Sequence, residues 1–215
     1  MPSFLIEKRH IASGAGPIAG IDEAGRGPLA GPVVAACVHI PEKFPALKKV
    51  KDSKKLDGLA REALFTEITR HCAFGIAIAD VGEIDSINIL QASFLAMCRA
   101  VDAMTMSFPV SIGTFLVDGN HKPRGMEDHN VVAVIGGDDK SYSIACASIL
   151  AKVTRDRMMR ELAAAHPQYG WEHNMGYGTP EHMQALDTHG PCIHHRTSYA
   201  PVRARLPEAM KRQNA

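Results

Sequence analysis

The sequence predicts an α/β fold built on a mixed β-sheet with helices on both faces. Short apolar runs rich in β-branched residues are typical of strands, and they cover residues 33–40, 74–81, 113–118 and 131–135. Between residues 87 and 104, apolar side chains recur at steps of three and four, which is typical of a helix packed on a sheet. Acids follow two of the predicted strands, and sites in α/β sheets lie beyond the carboxyl ends of strands.

The remaining elements follow from local signals. Residues 1–16 are expected to be a loose lead-in, and residues 17–22 a short strand that ends at two acids. Residues 59–72 have helical spacing. Asp85 or Ser86 is expected to cap the helix that follows the third strand, and Pro109 to end it. A further long helix is expected over residues 141–165 and a short one over residues 180–188.

At 215 residues, 46% of them apolar, the chain suits one domain with a small appendage. Aromatic residues, histidines and glycines mix after residue 166, so we predict a core over residues 1–165 and a helical extension packed on it over residues 166–215. No apolar run reaches the roughly 18 residues of a membrane span, and the N-terminus lacks the apolar block of a secretory signal.

The cysteine pattern and the net charge bear on the class of protein and on its possible partners. The five cysteines are odd in number and scattered, without a C-x-x-C pair, so a disulfide framework or a zinc knuckle is not expected. Reduced cysteines in a cytoplasmic protein fit better. The net charge of +1 neither demands nor excludes a nucleic-acid partner, because acids at a site would offset basic residues elsewhere.

The most informative stretch begins with two adjacent acids, Asp22 and Glu23, followed by Gly25, Arg26 and Gly27. Neighbouring side chains of a regular strand point to opposite faces, so the two acids can serve one site only if the strand ends or kinks there. The glycines supply that freedom, and Arg26 is a suitable phosphate partner. The acids alone would suggest a solvated turn, but their flanks indicate a site.

These residues resemble the N-terminal motif of the ribonuclease HII family, the type 2 ribonucleases H. Matching motifs follow in the family's order and cover nearly the whole chain. They are Asp52–Leu56, Leu116–Asn120, Gly137–Asp138, Ser143–Asp156, Gly176–Thr179 and His195–Arg196. The resemblance implies the ribonuclease H-like fold, with a five-stranded mixed sheet and a helical C-terminal extension beside it.

The resemblance also implies four catalytic acids that would hold two Mg²⁺ or Mn²⁺ ions. They are Asp22, Glu23, Asp118 and Asp138. Carboxylate oxygens suit these hard cations, and two cations roughly 4 Å apart can stabilise both the attacking and the leaving oxygen of a phosphodiester. Asp138 is chosen over Asp139 because it directly follows Gly137. Without the other acids, either residue would be interpreted as a helix cap.

Substrate contacts are implied by the same resemblance. The expected residues are Gly25, Arg26, Gly27, Lys54, Lys55, Lys152, Arg155, Tyr177 and Arg196. The backbone of residues 25–27 and the Tyr177 hydroxyl are the candidates for sensing a 2′-hydroxyl, and in the family the tyrosine packs on the sugar after the ribonucleotide. The basic side chains would contact phosphates or brace the site. His173, His182, His189, His194 and His195 lack the spacing of zinc ligands and are expected to be loop and surface residues.

The implied function is an endonuclease that cuts the RNA strand of RNA–DNA hybrids. It would also incise 5′ of single ribonucleotides in duplex DNA, giving 5′-phosphate and 3′-hydroxyl ends. The chain shows no large N-terminal addition of the ribonuclease HIII kind, a monomer is expected, and residues 203–215 are expected to be either disordered or a docking peptide for a sliding clamp. The alternatives are another carboxylate-dependent nuclease or integrase on this fold, and a non-catalytic nucleic-acid-binding module.

Overall fold

The computed structural model describes residues 1–207, except for the side chain of Lys55. Five strands form one mixed sheet: β1 (Ile18–Ala24), β2 (Val33–His39), β3 (Ala73–Ala79), β4 (Thr114–Asp118) and β5 (Val131–Val134). Their spatial order is β3-β2-β1-β4-β5. β1 pairs antiparallel with β2 and parallel with β4, and β5 is parallel to β4. The predicted five-stranded mixed sheet is confirmed.

Seven α-helices surround or extend this sheet in the described part of the chain. They are α1 (Leu5–Ala12), α2 (Gly58–His71), α3 (Val81–Ser107), α4 (Tyr142–Ala165), α5 (Trp171–Asn174), α6 (Pro180–His189) and α7 (Ala200–Arg203). Short 3₁₀ helices cover Pro45–Lys49, Ser53–Lys55, Gly137–Asp139 and Pro167–Tyr169. Across residues 1–207, no helix has the length and apolar character needed to cross a membrane.

The two faces of the sheet pack against different helices because side chains alternate along each strand. Ala19 and Ile21 of β1 join the apolar cluster formed with α3. Gly20 faces α4, where a Cβ atom would lie only 2.2 Å from the backbone nitrogen of Ile144. The absence of a side chain at Gly20 therefore lets α4 lie directly on β1, which fixes the height of α4 above the site.

A third apolar cluster ties the C-terminal segment to the turn between β1 and β2. Leu29 and Ala30 pack there with Met159, Tyr169 and Trp171, which α4 and the segment after it supply.

Residues 203–207 are described and Leu206 is buried. The prediction that residues 203–215 are disordered or form a docking peptide falls largely on residues 208–215, which lie outside the described residues. The division of the chain at residue 165 stays a prediction.

Three sequence predictions about element ends are wrong. The lead-in is not loose, because it contains α1, whose Glu7 is buried against the start of α4. β1 does not end at Asp22 and Glu23 but continues to Ala24, because its pairing with β2 extends to Ala24 opposite Val34.

The cap of α3 is also not where the sequence suggested. Asp80, rather than Asp85 or Ser86, caps this helix by accepting from a backbone N–H of its first turn. The Asp85 carboxylate instead accepts hydrogen bonds from Thr197 and Ser198 and fastens the C-terminal segment to α3.

Candidate active site

The acids lie where two parallel strands separate. The last paired residues of β1 and β4 are Ile21 and Val117, and the next residues are Asp22 and Asp118. Parallel strands present their carboxyl ends at the same edge of the sheet, so these two acids are brought together from positions far apart in the sequence. Both line one cavity of about 290 Å³.

Asp22 and Glu23 reach this cavity from opposite faces of β1. Asp22 lies on the α4 side, near Ser148, and the two residues line the same cavity. Glu23 lies on the α3 side, beside Leu90 and Phe94. The sequence argument that the strand must end or kink at the acids is therefore wrong, because a site at the open edge of the sheet can receive side chains from both faces.

The cavity brings together most of the residues predicted for the site. Its lining comprises Asp22, Glu23, Ala24, Gly25, Arg26, Gly27, Ser53, Lys54, Asp118, Ser148, Lys152, Arg155 and Tyr177. Ser53 and Ser148 were not predicted as site residues, and their hydroxyl oxygens lie 2.9 Å apart. In the sequence, Ser148 is distinguished only by its hydroxyl group within an apolar stretch of α4. Its place in the site becomes evident only when the fold brings it to the same cavity as Asp22.

Asp138 lies beside the cavity rather than in its lining. It belongs to the 3₁₀ helix Gly137–Asp139, and its carboxylate pairs with Lys54 at 3.5 Å. The amide of Gly137 donates to Asp118 at 2.6 Å, which joins this helix to the end of β4. Asp138 is therefore adjacent to the other acids through both Lys54 and Asp118.

The acids perturb one another electrostatically. Burial raises the pKa of Asp22 well above its usual range, and repulsion from Glu23 and Asp118 raises it further. Burial also raises the pKa of Glu23, although Arg26, 3.2 Å away, opposes the shift. The pKa of Asp138 is raised by burial and then by Asp118. This concentration of negative charge favours a bound cation.

The donor set fits Mg²⁺ or Mn²⁺, which prefer oxygen ligands. Within the described residues, however, no group of three or more His, Cys, Asp or Glu side chains has its donor atoms gathered as a formed metal site would require. Asp22, Glu23 and Asp118 nevertheless line the same cavity, so the chemistry of the donors fits such a cation.

Arg155 and Arg196 are both buried, and their guanidinium groups donate to backbone carbonyls. Arg155 donates to the carbonyls of Ala30, Pro32 and Met175. Arg196 donates to those of Gly25, Arg26 and Gly31. Of the two expected roles, phosphate contact and bracing, the contacts of both arginines favour bracing, because a buried guanidinium whose donors hold carbonyls is not available to a phosphate.

The predicted lysines differ in how far their side chains are available to a phosphate. The Lys54 side chain is 79% exposed at the cavity, although it pairs with Asp138. Lys152 lines the cavity and pairs with Asp156 at 2.6 Å. The side chain of Lys55 is not described. Lys54 is thus the predicted basic contact best placed to meet a backbone phosphate.

The turn after β1 approaches Tyr177. Gly25 has a φ of +100°, a conformation that side chains resist, and a Cβ atom there would lie 2.0 Å from Nε of Arg155. Gly27 has no positive φ, but a Cβ atom on it would lie 3.4 Å from the Tyr177 ring. Tyr177 is 47% exposed and faces the cavity across this turn.

The interpretation of all five histidines as loop and surface residues is wrong for two of them. His182 and His195 are buried, with their Nε2 atoms 3.0 Å apart. Sequence spacing could not reveal this, because the two residues lie on α6 and in the loop before α7, and meet only through tertiary packing.

Comparisons with known proteins agree with this geometry. A family model described as ribonuclease HII matches residues 19–202. A ribonuclease HII from Xanthobacter autotrophicus is 50% identical over 201 residues, 93% of this chain and 78% of that relative. The solved ribonuclease H2 of Pyrococcus horikoshii is 26% identical, with 91% of this chain and 99% of that one covered at a TM-score of 0.73. A structure of the PCNA:RNase HII complex from Archaeoglobus fulgidus matches at 26% identity, covering 85% of this chain and 95% of that one at a TM-score of 0.70.

Proposed function

Because the chain belongs to the ribonuclease HII family and is therefore an endoribonuclease acting on RNA–DNA hybrids, we propose that it also incises duplex DNA 5′ of single embedded ribonucleotides. The cut would leave 5′-phosphate and 3′-hydroxyl ends. The observation that carries the proposal is the cluster of acids, since Asp22, Glu23 and Asp118 line one cavity and Asp138 interacts electrostatically with Asp118.

We assign these four acids as the ligands of two divalent cations. When bound, Mg²⁺ or Mn²⁺ would stabilise the negative charge that develops on the attacking and leaving oxygens. The support for this assignment is the raised pKa of Asp22, Glu23 and Asp138, which burial and mutual repulsion produce and which a cation would relieve. Asp138 is supported over Asp139 by its burial and its contact with Lys54.

The chain's own side chains would orient the scissile phosphate. Lys54 projects from the rim, where its ammonium group can approach a backbone phosphate while remaining near Asp138. Arg26 is half exposed and holds Glu23 at 3.2 Å, so it can contact the nucleic acid and also keep that carboxylate in place. Lys152 contributes a second ammonium group on the α4 side.

Recognition of RNA would depend on the turn after β1 and on Tyr177. The backbone N–H and carbonyl groups of residues 25–27 border the cavity, where they can hydrogen-bond a 2′-hydroxyl. The Tyr177 ring stands next to Gly27, so a sugar packed on the ring would also lie against this turn. The proximity of the two elements supports a shared role in selecting the ribonucleotide.

The test is cleavage of a DNA duplex that carries one ribonucleotide, with the cut position mapped, with and without Mg²⁺ or Mn²⁺. We expect one metal-dependent incision 5′ of the ribonucleotide and none in the matched all-DNA duplex. Asp118→Asn should lose cleavage while keeping hybrid binding.

Three results would contradict the proposal. Turnover by Asp118→Asn with Mg²⁺ would exclude the assigned ligands. Equal cleavage of the all-DNA duplex would favour another carboxylate-dependent nuclease on this fold. Salt-dependent binding without strand scission in Mn²⁺ would favour a non-catalytic binding module.

Two further features concern the location and partners of the protein. Five free cysteines, three of them buried, support a reduced cytoplasmic location. The related complex with PCNA makes a sliding clamp a partner to test, and the segment proposed for docking falls largely in residues 208–215, outside the described part.

A further inference from the structure

A chain of polar groups connects the C-terminal segment to the loop that carries Tyr177. The Nδ1 atom of His182 lies 2.9 Å from the Tyr177 carbonyl oxygen, and its Nε2 atom lies 3.0 Å from Nε2 of His195. At the far end, the amide of Cys192 lies 3.0 Å from Nδ1 of His195. We call His182 and His195 the histidine pair.

The groups at the two ends, together with Trp171, indicate which ring nitrogens of the histidine pair donate and which accept. A carbonyl oxygen can only accept, so Nδ1 of His182 donates to Tyr177. The indole of Trp171 can only donate, so Nε2 of His182 is an acceptor. Nε2 of His195 faces this acceptor and donates to it, so the one lone pair of His182 Nε2 is shared by the indole and His195. Nδ1 of His195 accepts from the Cys192 amide and lies 3.3 Å from the Cys192 thiol. Both rings are neutral and they are opposite tautomers.

Burial supports the neutral state. It lowers the pKa of His182, and it lowers the pKa of His195 to about 3, with smaller contributions from neighbouring histidines. A third proton would place two N–H groups against each other, either between the two Nε2 atoms or between Nδ1 of His195 and the Cys192 amide, each pair 3.0 Å apart. The direction of the chain, from Cys192 to Tyr177, is thus set by its geometry.

The same loop is held on its other side by the β1–β2 turn. The amide of Leu29 donates to the Gly176 carbonyl at 2.8 Å, and the side chain of Asn174 accepts from the Gly176 amide. The exposed Tyr177 ring therefore follows a backbone fixed at Gly176, and the Tyr177 amide itself donates to the Asn174 carbonyl at 2.9 Å. The Tyr177 carbonyl accepts from the Thr179 amide at 2.8 Å and from Nδ1 of His182, so His182 is the side chain that holds this carbonyl.

We propose that the histidine pair positions Tyr177 and thereby sets how strongly the enzyme prefers a single ribonucleotide in DNA over a continuous RNA strand. This inference rests on the function proposed above. The residue after His195 adds to the arrangement, because Arg196 holds the carbonyls of Gly25 and Arg26. Two consecutive residues of one loop would then organise both walls that face the sugar.

The first test needs no substrate. Long-range proton–nitrogen NMR spectra at neutral pH should show His182 protonated on Nδ1 and His195 protonated on Nε2, both neutral. The same tautomer in both rings, or a charged ring at neutral pH, would overturn the inference regardless of activity. His189, exposed on α6, serves as the reference histidine.

The second test compares two substitutions of His182. Phe keeps a ring but removes the donor, whereas the amide nitrogen of Asn can occupy the place of Nδ1 and still donate to Tyr177. The readout is kcat/KM on a single-ribonucleotide duplex divided by kcat/KM on an RNA–DNA hybrid. We expect His182→Phe to lower this ratio about tenfold and His182→Asn to restore most of it.

A double-mutant cycle separates positioning from general damage. In a Tyr177→Ala background, His182→Phe should change the ratio no further. An equal loss on both substrates, or additive effects in the cycle, would overturn the inference. If His182→Phe fails to fold, the two His182 substitutions are replaced by His195→Gln and His195→Met. Gln keeps the donor toward His182, whereas Met removes it. If the wild type cuts neither substrate, the proposed function fails while the NMR result still decides the hydrogen-bond chain.

Discussion

At the scale of single residues, Asp118 is the acid that the other three predicted ligands share. Asp22, Glu23 and Asp138 each interact electrostatically with it. Its Oδ1 atom also accepts from the Gly137 amide, a contact that an asparagine oxygen can keep. Replacing Asp118 by Asn therefore removes repulsion without removing that hydrogen bond.

We expect Asp118→Asn to raise the stability of the metal-free protein by about 1 kcal/mol, or Tm by about 2–4 °C. Mn²⁺ should raise the Tm of the wild type but leave that of the variant nearly unchanged. Differential scanning calorimetry with and without the ion measures both effects. Asp102→Asn, an exposed substitution on α3, is the control. A variant that melts lower than the wild type without metal would contradict the repulsion argument.

The salt dependence of binding can distinguish an exposed basic residue that contacts phosphate from a buried one that braces the site. Lys54 is exposed at the cavity, so Lys54→Ala should reduce the slope of log K against log salt for hybrid binding by about 1. Arg196 is buried and holds the carbonyls of Gly25 and Gly31. Arg196→Gln removes the charge but should leave that slope unchanged, while lowering the free energy of unfolding by about 2–3 kcal/mol. A reduced salt slope in Arg196→Gln would show that this side chain meets phosphate.

The sequence could predict that Arg196 and the acids belong near the site, but not which side chains face the substrate. Burial of Arg196 depends on a turn about 170 positions earlier, to whose carbonyls its guanidinium donates. Likewise, only the meeting of α6 with the loop before α7 shows that His182 and His195 are buried. Such contacts are set by tertiary packing and leave no local pattern.

At the scale of elements, α1 acts as a tertiary cap for α4. The Oε1 atom of Glu7 accepts from the Ser141 hydroxyl and from both the amide and the hydroxyl of Ser143. These groups form the N-terminus of α4, where the helix dipole favours negative charge. The start of α4 directly follows the 3₁₀ helix that carries Asp138, so α1 supports the segment next to that acid.

Glu7→Ala should lower the free energy of unfolding by about 2–3 kcal/mol, because it leaves buried donors without their acceptor. Glu7→Gln keeps an acceptor but loses the charge, so its cost should be about 1 kcal/mol. Urea denaturation measures both, with Glu42→Ala as an exposed control. Equal costs for the Ala and Gln variants would mean that charge, rather than hydrogen bonding, dominates the cap.

Local sequence did not reveal α1 because eight residues are too few to show a clear apolar period. The partner of Glu7 lies 134 positions away, so no neighbouring residue signals its role. In contrast, α2 and the five strands were predictable from local sequence, α2 from its helical spacing of apolar residues and the strands from short apolar runs. Elements that are stabilised mainly by distant contacts are the ones that sequence reasoning misses.

At the scale of the whole molecule, the mixed sheet brings acids from separate segments to one edge, and the C-terminal segment braces that edge. We propose that residues 166–215 act as an extension of a core over residues 1–165, supported by the apolar cluster that joins Leu29 and Ala30 to Trp171. The sheet could be predicted from strand patterns and family resemblance. Packing of the extension on the core was expected too, but the buried polar contacts within it could not be predicted, since they join remote loops.

The histidine pair within this brace should make folding stability depend on pH. The pKa of His195 is lowered from 6.5 to about 3, by burial first and then by His182, His166 and His194. Between these two values the unfolded chain binds a proton that the folded chain refuses. This contribution to stability is therefore fully present above pH 6.5 and is lost as the pH falls toward 3.

Over that window one such group changes the free energy of unfolding by about 1.4 kcal/mol per pH unit. His195→Gln keeps the donor toward His182 but does not titrate, so its stability should fall less steeply with acid than that of the wild type. The raised pKa of the active-site acids acts in the opposite direction but is common to both proteins, so it cancels in the difference. Urea midpoints measured at several pH values give the two curves, and parallel curves would show that His195 is not held neutral by its burial.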